Sequence, residues 1–288
     1  MRTALVTGGS SSLGVFVIPK LLNRFDRVIA TSRSDSSSRL LRSLGAEPLS
    51  FDLENPADVD VEAQFLVHIA GVRYHEGALF LMRRSRADHL IAVSSASSVV
   101  VGHPNRDWLL AAEAALMAAA PHSAIVRPTM IYGNARDRNL FRLYRLLRRA
   151  HVAPRVSGGA SLMPVFVDDV TAAIVELVDE GLPTCVRPIS GPAQVGFGDV
   201  LDELCRAGGI RQFPLRVPMR PLIRSAQAIS ARERKVIHAI QMLGTDRIVE
   251  PPSEVGFEYS PTPLADGLGL AVERYDQAIR REGQRLGR

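Results

Sequence analysis

The sequence has few cysteines, almost no lysine and no long hydrophobic run. Cys185 and Cys205 are its only cysteines, too few for a disulfide framework, and no Cys-x-x-Cys spacing indicates a metal site. No apolar run reaches the roughly 18 residues that a membrane span needs. The strand-like RTALVT begins at residue 2 with no apolar segment before it, so we expect no signal peptide. Together these features predict a cytoplasmic protein without a bound metal.

Arginine supplies nearly all of the positive charge. The formal net charge is +5, and Lys20 and Lys235 are the only lysines. Arginine pairs bidentately with phosphate and carboxylate, which favours anionic ligands, although a genome rich in G and C would also select arginine codons. The arginines are spread along the chain without interleaved aromatic residues or a recognised binding module. Nucleic-acid binding is therefore not predicted.

Short apolar strands alternate with helical stretches through the first two thirds of the chain. Strands rich in Val, Ile and Leu with helices between them predict a parallel sheet covered on both faces, that is, an α/β, doubly wound, Rossmann-type fold. The predicted strands are TALVT, RVIAT (27–31), EPLSF (47–51), FLVHIA (65–70), HLIAVSS (89–95) and SAIVRP (123–128).

After Gly133 the pattern changes to predominantly helical segments. We predict a basic-faced helix over 134–150, a core helix over 165–181 with Asp168 and Asp169 at its N-terminus, and a helical region from Pro221 to about Leu243. We expect residues 1–133 and 163–190 to form a dinucleotide-binding domain. Residues 134–162 and 191–288 would then form a smaller C-terminal substrate lobe.

The stretch ALVTGGSSSLG (4–14) has the form of a strand, a tight turn and the start of a helix. Gly8 permits the tight turn, and Gly14 lets the helix pack closely on the strand. The N-terminus of the helix would present free amides to a pyrophosphate. Ser11, however, stands where the middle glycine of such a turn is usual, so this stretch alone is weak evidence for a nucleotide site.

Further motifs follow in a fixed order over essentially the whole chain: FDLEN, LVHIAG, AVSSASS, RPTMIYG, PVFVDDV and GFEYSPTPLADGL. With TGGSSSLG before them, the sequence resembles the short-chain dehydrogenase/reductase superfamily, specifically its extended branch of NAD(P)-dependent epimerases and dehydratases. The resemblance implies a nicotinamide dinucleotide as cofactor. The positions that it implies for the cofactor are Gly8, Ser10, Ser11, Leu13 and Gly14 at the pyrophosphate, Asp52 and Leu53 at the adenine, Ala70 and Gly71 at the ribose, and Pro128 and Ile131 at the nicotinamide.

The end of the second predicted strand bears on the choice between NAD and NADP. An NAD site usually has a carboxylate there to bind the ribose 2′-hydroxyl, and this chain has Ser32. Arg33 follows and could pair with a 2′-phosphate, or it could be an ordinary exposed arginine. We therefore expect NADP, with NAD possible. Asp52 could equally be a turn residue that ends a strand.

The catalytic pattern of the family is incomplete. Family members use a Ser or Thr at the fifth strand together with a Tyr-x-x-x-Lys pair on the next helix. Ser95 matches the serine, although it could be one member of a Ser-rich turn. If Glu113 is the family's helix glutamate, the tyrosine position falls on Asn105 and the lysine position on Leu109. Tyr74 and His103 are then candidates for the missing acid, unless they are ordinary loop residues.

Substrate positions are indicated by the basic helix and by a replaced arginine. Asn139 resembles the asparagine with which sugar-nucleotide epimerases hold a diphosphate, and Arg142 could supplement it. Leu162 or Met163 stands where such epimerases carry an arginine, which argues against a plain UDP-sugar 4-epimerase.

Two functional hypotheses remain open. The first is an NADP-dependent oxidoreductase, epimerase or dehydratase that uses a non-standard acid–base group on a small or nucleotide-linked substrate, which we favour because losing one proton donor need not abolish hydride transfer. The alternative is a non-catalytic NAD(P)H-binding regulator or assembly subunit. A homodimer is compatible with either, and a third, weaker reading is membrane-surface attachment through residues 224–243.

Overall fold

The structure is a computed structural model that describes residues 1–137, 140–157, 161–218 and 260–286. Strands and helices alternate along most of this length. The strands are β1 (Thr3–Thr7), β2 (Arg27–Ser32), β3 (Glu47–Ser50), β4 (Phe65–His68), β5 (His89–Val93), β6 (His122–Pro128), β7 (Ile131–Tyr132), β8 (Val152–Ser157), β9 (Ser161–Leu162), β10 (Val165–Phe166), β11 (Cys185–Ile189), β12 (Val195–Gly196) and β13 (Arg211–Pro218). The helices are α1 (Gly14–Leu21), α2 (Asp35–Ser43), α3 (His75–Ser85), α4 (Arg106–Ala118), α5 (Leu140–Ala150), α6 (Val167–Asp179), α7 (Phe197–Ala207) and α8 (Leu264–Leu286).

The chain divides into two compact units. The first contains Met1–Pro128 and Asp168–Ile189, and the second contains Thr129–Val167 and Ser190–Arg288. The first unit therefore consists of two separate stretches of chain. Their assignment to dinucleotide binding and substrate binding stays a prediction.

A seven-stranded parallel sheet forms the centre of the first unit. Its strand order is β11-β6-β5-β4-β1-β2-β3, and every neighbouring pair is parallel. The order reverses direction between β3 and β4, so right-handed connections place the helices on opposite faces of the sheet. Strands β1 and β4 are buried along their whole length, as predicted for a sheet covered on both sides. The α/β doubly wound fold is confirmed.

The second unit is built from short strand pairs and helices. β7 pairs with β10 and β8 pairs with β13, both parallel, while β9 and β12 are antiparallel. Helix α7 packs closely on β8, because a Cβ on Gly198 would lie 2.3 Å from the carbonyl oxygen of Val156.

Two predicted helices begin later than the sequence indicated. The segment expected to be helical over 134–150 is a turn up to Asp137, and α5 begins at Leu140. Residues 165 and 166 of the predicted core helix form β10, so α6 begins at Val167 with Asp168 and Asp169 in its first turn. The predicted helical region from residue 221 to 243 lies outside the described residues.

Candidate functional site

The turn between β1 and α1 is built around two glycines that have no room for a side chain. Gly8 has a φ of +73°, and a Cβ there would lie 2.6 Å from the backbone nitrogen of Ala70. A Cβ on Gly14 would lie 2.4 Å from the carbonyl oxygen of Gly8. No rotamer change relieves a clash with backbone, so both positions require glycine. The same contacts bring this turn against the residues that follow β4.

Ser11 stabilises the turn from the position of the missing glycine. Its backbone amide donates to the carbonyl oxygen of Gly8 at 2.9 Å, and its Oγ accepts from the amide of Gly14 at 3.1 Å. The first turn of α1 contains no acidic side chain. The positive end of the helix dipole therefore points at this turn, and no carboxylate in the first turn of α1 opposes an anion there. The N-terminus of α1 is thus favourable for a bound anion. Ser10 is half-buried in this turn, and Leu13 is buried at its end.

A buried histidine joins the turn after β4 to the last residue of β1. The Nδ1 atom of His68 lies 2.7 Å from the Oγ1 atom of Thr7, and its Nε2 atom lies 3.0 Å from the carbonyl oxygen of Gly71. Burial lowers the pKa of His68 to about 4. Gly71 has a φ of +94°, which favours glycine there as well. The predicted ribose positions Ala70 and Gly71 thus lie beside the predicted phosphate turn.

The carboxyl end of β2 lies beside the turn that follows β3. The Nη1 atom of Arg33 is 3.5 Å from the Oε2 atom of Glu54 and 3.8 Å from the Oδ1 atom of Asp52. Ser32 is buried, and its hydroxyl contacts Ser38 Oγ at 2.8 Å, so it supports α2. The predicted positions Arg33 and Asp52 therefore lie together, and Arg33 is held by carboxylates that a 2′-phosphate would have to replace.

Leu53, the second predicted adenine position, packs against α3. It is half-buried, and a Cβ on Gly77 would lie 2.3 Å from its carbonyl oxygen. The turn that carries Asp52 and Leu53 is thus fixed by a close helix contact.

The candidate catalytic residue Ser95 follows β5 and belongs to a local turn. Its Oγ accepts from the amide of Ser97 at 3.2 Å and lies 3.2 Å from the hydroxyl of Ser97. It therefore caps the short 3-10 turn Ala96–Ser98. Family resemblance pointed to a catalytic hydroxyl, and the structure shows that this hydroxyl also has a structural use.

The two candidate acids make local contacts of their own. The hydroxyl of Tyr74 accepts from the Nη2 atom of Arg73 at 2.5 Å, with the guanidinium 4.4 Å from the ring centroid. The Nδ1 atom of His103 accepts from the amide of Asn105 at 3.3 Å. Next to Tyr74, the ring of His75 meets Trp108 edge-on at 5.9 Å. This pair joins the starts of α3 and α4.

Ser94, the residue before Ser95, contacts a buried ion pair. Glu113 of α4 is 2% exposed, and its Oε2 atom accepts from the Nη2 atom of Arg127 on β6 at 2.5 Å. The hydroxyl of Ser94 donates to the other oxygen of the same carboxylate. The three side chains tie α4, β6 and the end of β5 together. Glu113 served in the sequence only to fix the helix register, and its partners could not be identified there.

The remaining predicted positions fall in different parts of the chain. Pro128 ends β6 in the first unit, where it pairs with Ile189 of β11. Ile131 lies in β7 of the second unit, and Arg142 is exposed on α5. Asn139 lies outside the described residues. Leu162 and Met163 are both buried.

In the second unit, helix α8 holds the loop that precedes α5. The hydroxyl of Tyr275 donates to the Oδ2 atom of Asp137 at 2.7 Å and accepts from the amide of Gly133 at 3.3 Å. The Nη1 atom of Arg274 donates to the carbonyl oxygen of Gly133 at 3.1 Å. Burial and the adjacent carboxylate raise the pKa of Tyr275. The tyrosine therefore stays a neutral donor to the loop.

Neither a metal-binding cluster nor a membrane-spanning helix is present in the part of the chain that the structure describes. There, no cluster of three or more His, Cys, Asp or Glu side chains is placed to hold a metal ion. Among the same residues, every helix is too short or too polar to cross a membrane.

Sequence comparison gives limited evidence. The chain matches no protein-family model. A segment of 55 residues is 36% identical to the decarboxylating sterol-4-alpha-carboxylate 3-dehydrogenase of Dictyostelium discoideum. The match covers 19% of this chain and 17% of that protein, so the chain aligns with only a small part of its relative.

Structural comparison extends over nearly the whole chain. The protein gox2253 has a TM-score of 0.75 at 17% identity, with 97% of this chain and 99% of that chain covered. UDP-glucose 4-epimerase of Thermotoga maritima, solved with UDP-glucose, has a TM-score of 0.70 at 17% identity over 96% of this chain and 100% of that chain. Triphenylmethane reductase of Citrobacter sp., complexed with NADP(H), has a TM-score of 0.68 at 18% identity over 93% and 99%. At the level of the fold, the resemblance to NAD(P)-dependent epimerases and reductases is confirmed.

Proposed function

We propose that this chain binds a nicotinamide dinucleotide, NADP in preference to NAD, and acts as an oxidoreductase, epimerase or dehydratase on a small or nucleotide-linked substrate. The observation that carries the proposal is the close backbone packing at Gly8 and Gly14, where a Cβ would clash with backbone atoms, beside the N-terminus of α1. Such a turn brings backbone amides close to a phosphate pair. Fold relatives that bind NADP(H) and UDP-glucose support the same assignment.

The residues around this turn fit the parts of a dinucleotide. Ser10, Ser11 and the amides that start α1 would bind the pyrophosphate, and the backbone at Ala70 and Gly71 would border a ribose. Arg33 would bind a 2′-phosphate after releasing Glu54, from which its Nη1 atom lies 3.5 Å. Because this ion pair is exposed, the exchange costs little. A bound nicotinamide would supply or accept a hydride.

The acid–base group differs from that of the family, because α4 carries no Tyr-x-x-x-Lys pair. Asn105 and Leu109 stand at the corresponding positions in the register set by Glu113. To donate to a substrate oxygen, the hydroxyl of Ser95 would release its hydrogen bond to the Oγ atom of Ser97. Tyr74 and His103 remain the candidate proton donors, and substrate or solvent could supply the proton instead.

Ligand titration tests the binding half of the proposal. Calorimetry with NADPH, NADH, NADP⁺ and NAD⁺ should show saturable binding, with the lowest Kd for the NADP forms. Absence of heat with all four nucleotides would refute the proposal. Arg33→Ala should weaken NADPH binding much more than NADH binding, whereas Arg42→Ala, an exposed arginine on α2, should change neither. Equal weakening of both nucleotides by Arg33→Ala would remove its role at the 2′-phosphate.

Turnover assays separate an enzyme from a regulator. NADPH consumption should be measured with sugar nucleotides, enones and quinones, because these substrates sample the reaction classes that the fold supports. Saturable NADPH binding without turnover on any of them would favour the regulator or assembly subunit. The cytoplasmic location and a homodimer stay predictions from the sequence, and light scattering tests the latter.

A further inference from the structure

His68 is a fully buried titratable side chain at the carboxyl end of β4. Its ring contacts the hydroxyl of Thr7, the last residue of β1, and the carbonyl oxygen of Gly71 in the turn after β4. Because no part of it is exposed, it cannot touch a substrate or exchange protons with one. Any contribution to function must therefore act through the groups that it holds.

The hydrogen bonds define which nitrogen carries the proton. The carbonyl oxygen of Gly71 can only accept, so the Nε2 atom of His68 donates to it. The ring is neutral near pH 7, because burial lowers its pKa to about 4. Of two smaller effects, the bond to the Gly71 carbonyl raises the pKa and nearby His75 lowers it. Nδ1 is then the bare nitrogen, which accepts from the hydroxyl of Thr7. One tautomer satisfies both contacts.

The carbonyl of Gly71 is the more informative of the two contacts. It accepts from Nε2 of His68 and also from the backbone amide of Tyr74, each at 3.0 Å. These two donors fix the peptide that follows a residue with φ +94°. Just before it, the backbone of Ala70 lies against Gly8. A rotation of the Gly71 peptide would therefore shift the surface that borders the phosphate turn.

We propose that His68 is a positioning residue for the dinucleotide, which sets the Gly71 turn against the Gly8 turn through its bond to the Gly71 carbonyl. This inference rests on the proposed function, because it assumes that these two turns bind the cofactor. The bond from Nε2 to the Gly71 carbonyl affects cofactor binding, whereas the bond between Nδ1 and Thr7 fixes the orientation and the tautomer of the ring.

Two amide substitutions separate the two bonds. Glutamine places its Nε2 amide near the position of the imidazole Nε2, so His68→Gln can keep the donation to Gly71. Asparagine reaches only to the position of Nδ1, so His68→Asn can keep the contact with Thr7 and loses the one with Gly71. His122→Asn is the matched control, because His122 is exposed at the start of β6, at the amino-terminal edge of the same sheet.

The measurements are the Kd for NADPH by calorimetry and the urea midpoint of each variant. We expect His68→Asn to weaken NADPH binding about tenfold, as for the loss of one hydrogen bond, while His68→Gln stays within about threefold of wild type. His122→Asn should leave the Kd unchanged. Thr7→Val, which removes only the contact at Nδ1, should weaken binding less than His68→Asn and gives a second test if His68→Asn does not fold.

Each outcome has a distinct meaning. Equal Kd values for wild type, His68→Asn and His68→Gln, with only the urea midpoints lowered, would show a purely structural histidine and overturn the inference. Equal weakening by both amides, or a Thr7→Val effect as large as that of His68→Asn, would also overturn it, because the Gly71 bond would then not be the one that matters. Failure of the wild-type chain to bind any nicotinamide nucleotide would instead refute the proposed function.

Discussion

The charge on Glu113 should contribute strongly to the stability of the first unit. Its carboxylate accepts two side-chain bonds from Arg127 through Oε2, at 3.0 and 2.5 Å, and its Oε1 atom faces Ser94 and the Nε atom of Arg127. Glu113→Gln keeps the shape and removes the charge. It also puts an NH₂ group against a guanidinium that has only donors, so at least one contact becomes repulsive.

The expected cost follows from the burial of the pair. Removing one partner of a buried ion pair costs about 3–5 kcal/mol, because the remaining charge is left without compensation. The Glu113 side chain is 3% exposed and that of Arg127 17%, so water can relieve part of the penalty at the arginine. We therefore expect about 3 kcal/mol, the lower end of that range.

Urea unfolding followed by circular dichroism measures this difference. Asp107→Asn is the matched control, because Asp107 lies on the same helix with its side chain 94% exposed next to Arg106. The control should change the free energy of unfolding by less than about 0.5 kcal/mol. The double variant Glu113→Leu/Arg127→Met should recover much of the loss, because it leaves no unpaired charge. A Glu113→Gln effect as small as the control's would refute this reasoning.

Four further results are expected. Gly14→Ala should abolish NADPH binding in calorimetry, because its Cβ would lie 2.4 Å from a backbone oxygen. Gly269→Ala in α8, where a Cβ meets nothing within 4 Å, should raise the free energy of unfolding in urea by about 0.5–1 kcal/mol. Wild-type NADPH affinity in the first variant, or a loss of stability in the second, would contradict these expectations. Since burial lowers the folded-state pKa of His68 from 6.5 to about 4, the unfolded chain takes up its proton first, and stability should fall by about 3 kcal/mol from pH 6.5 to 4. Urea unfolding at a series of pH values should show that the free energy of unfolding falls less steeply for His68→Gln than for the wild type. Identical slopes for the two chains would contradict this. Tyr275→Phe should cost about 1–3 kcal/mol, because it removes the hydroxyl that donates to the Oδ2 atom of the buried Asp137 carboxylate. A loss below about 0.5 kcal/mol in urea unfolding would argue against that bond.

The sheet could be predicted from sequence because its signal is local. Strands such as β1 and β4 are runs of apolar residues bounded by turn residues, and each was found within a few residues of its observed bounds. The start of α5 could not be found in this way. Asp137 accepts from the amide of Phe141 and from Tyr275, which is 138 residues away. That contact exists only after folding, so periodicity alone placed the helix too early.

The site shows the same division. Gly8 and Gly14 were predicted as cofactor positions because a turn of this type demands glycine, a requirement visible in the sequence. Arg127 as the partner of Glu113 and Thr7 as the partner of His68 were not, because they come from other strands. For Ser95, the sequence could suggest a hydroxyl in the right place but not that Ser97 already engages it.

The last strand of the large sheet has a consequence for synthesis of the chain on the ribosome. β11 pairs with β6 in the sheet, but β7 to β10 lie between these two strands in the sequence. Until residue 189 has left the exit tunnel, the backbone edge of β6 that pairs with β11 remains unpaired. Such an edge can pair with another extended peptide, which promotes self-association. A nascent chain that stalls before that point should depend on chaperones, and a gene fragment that stops at residue 128 should yield insoluble protein.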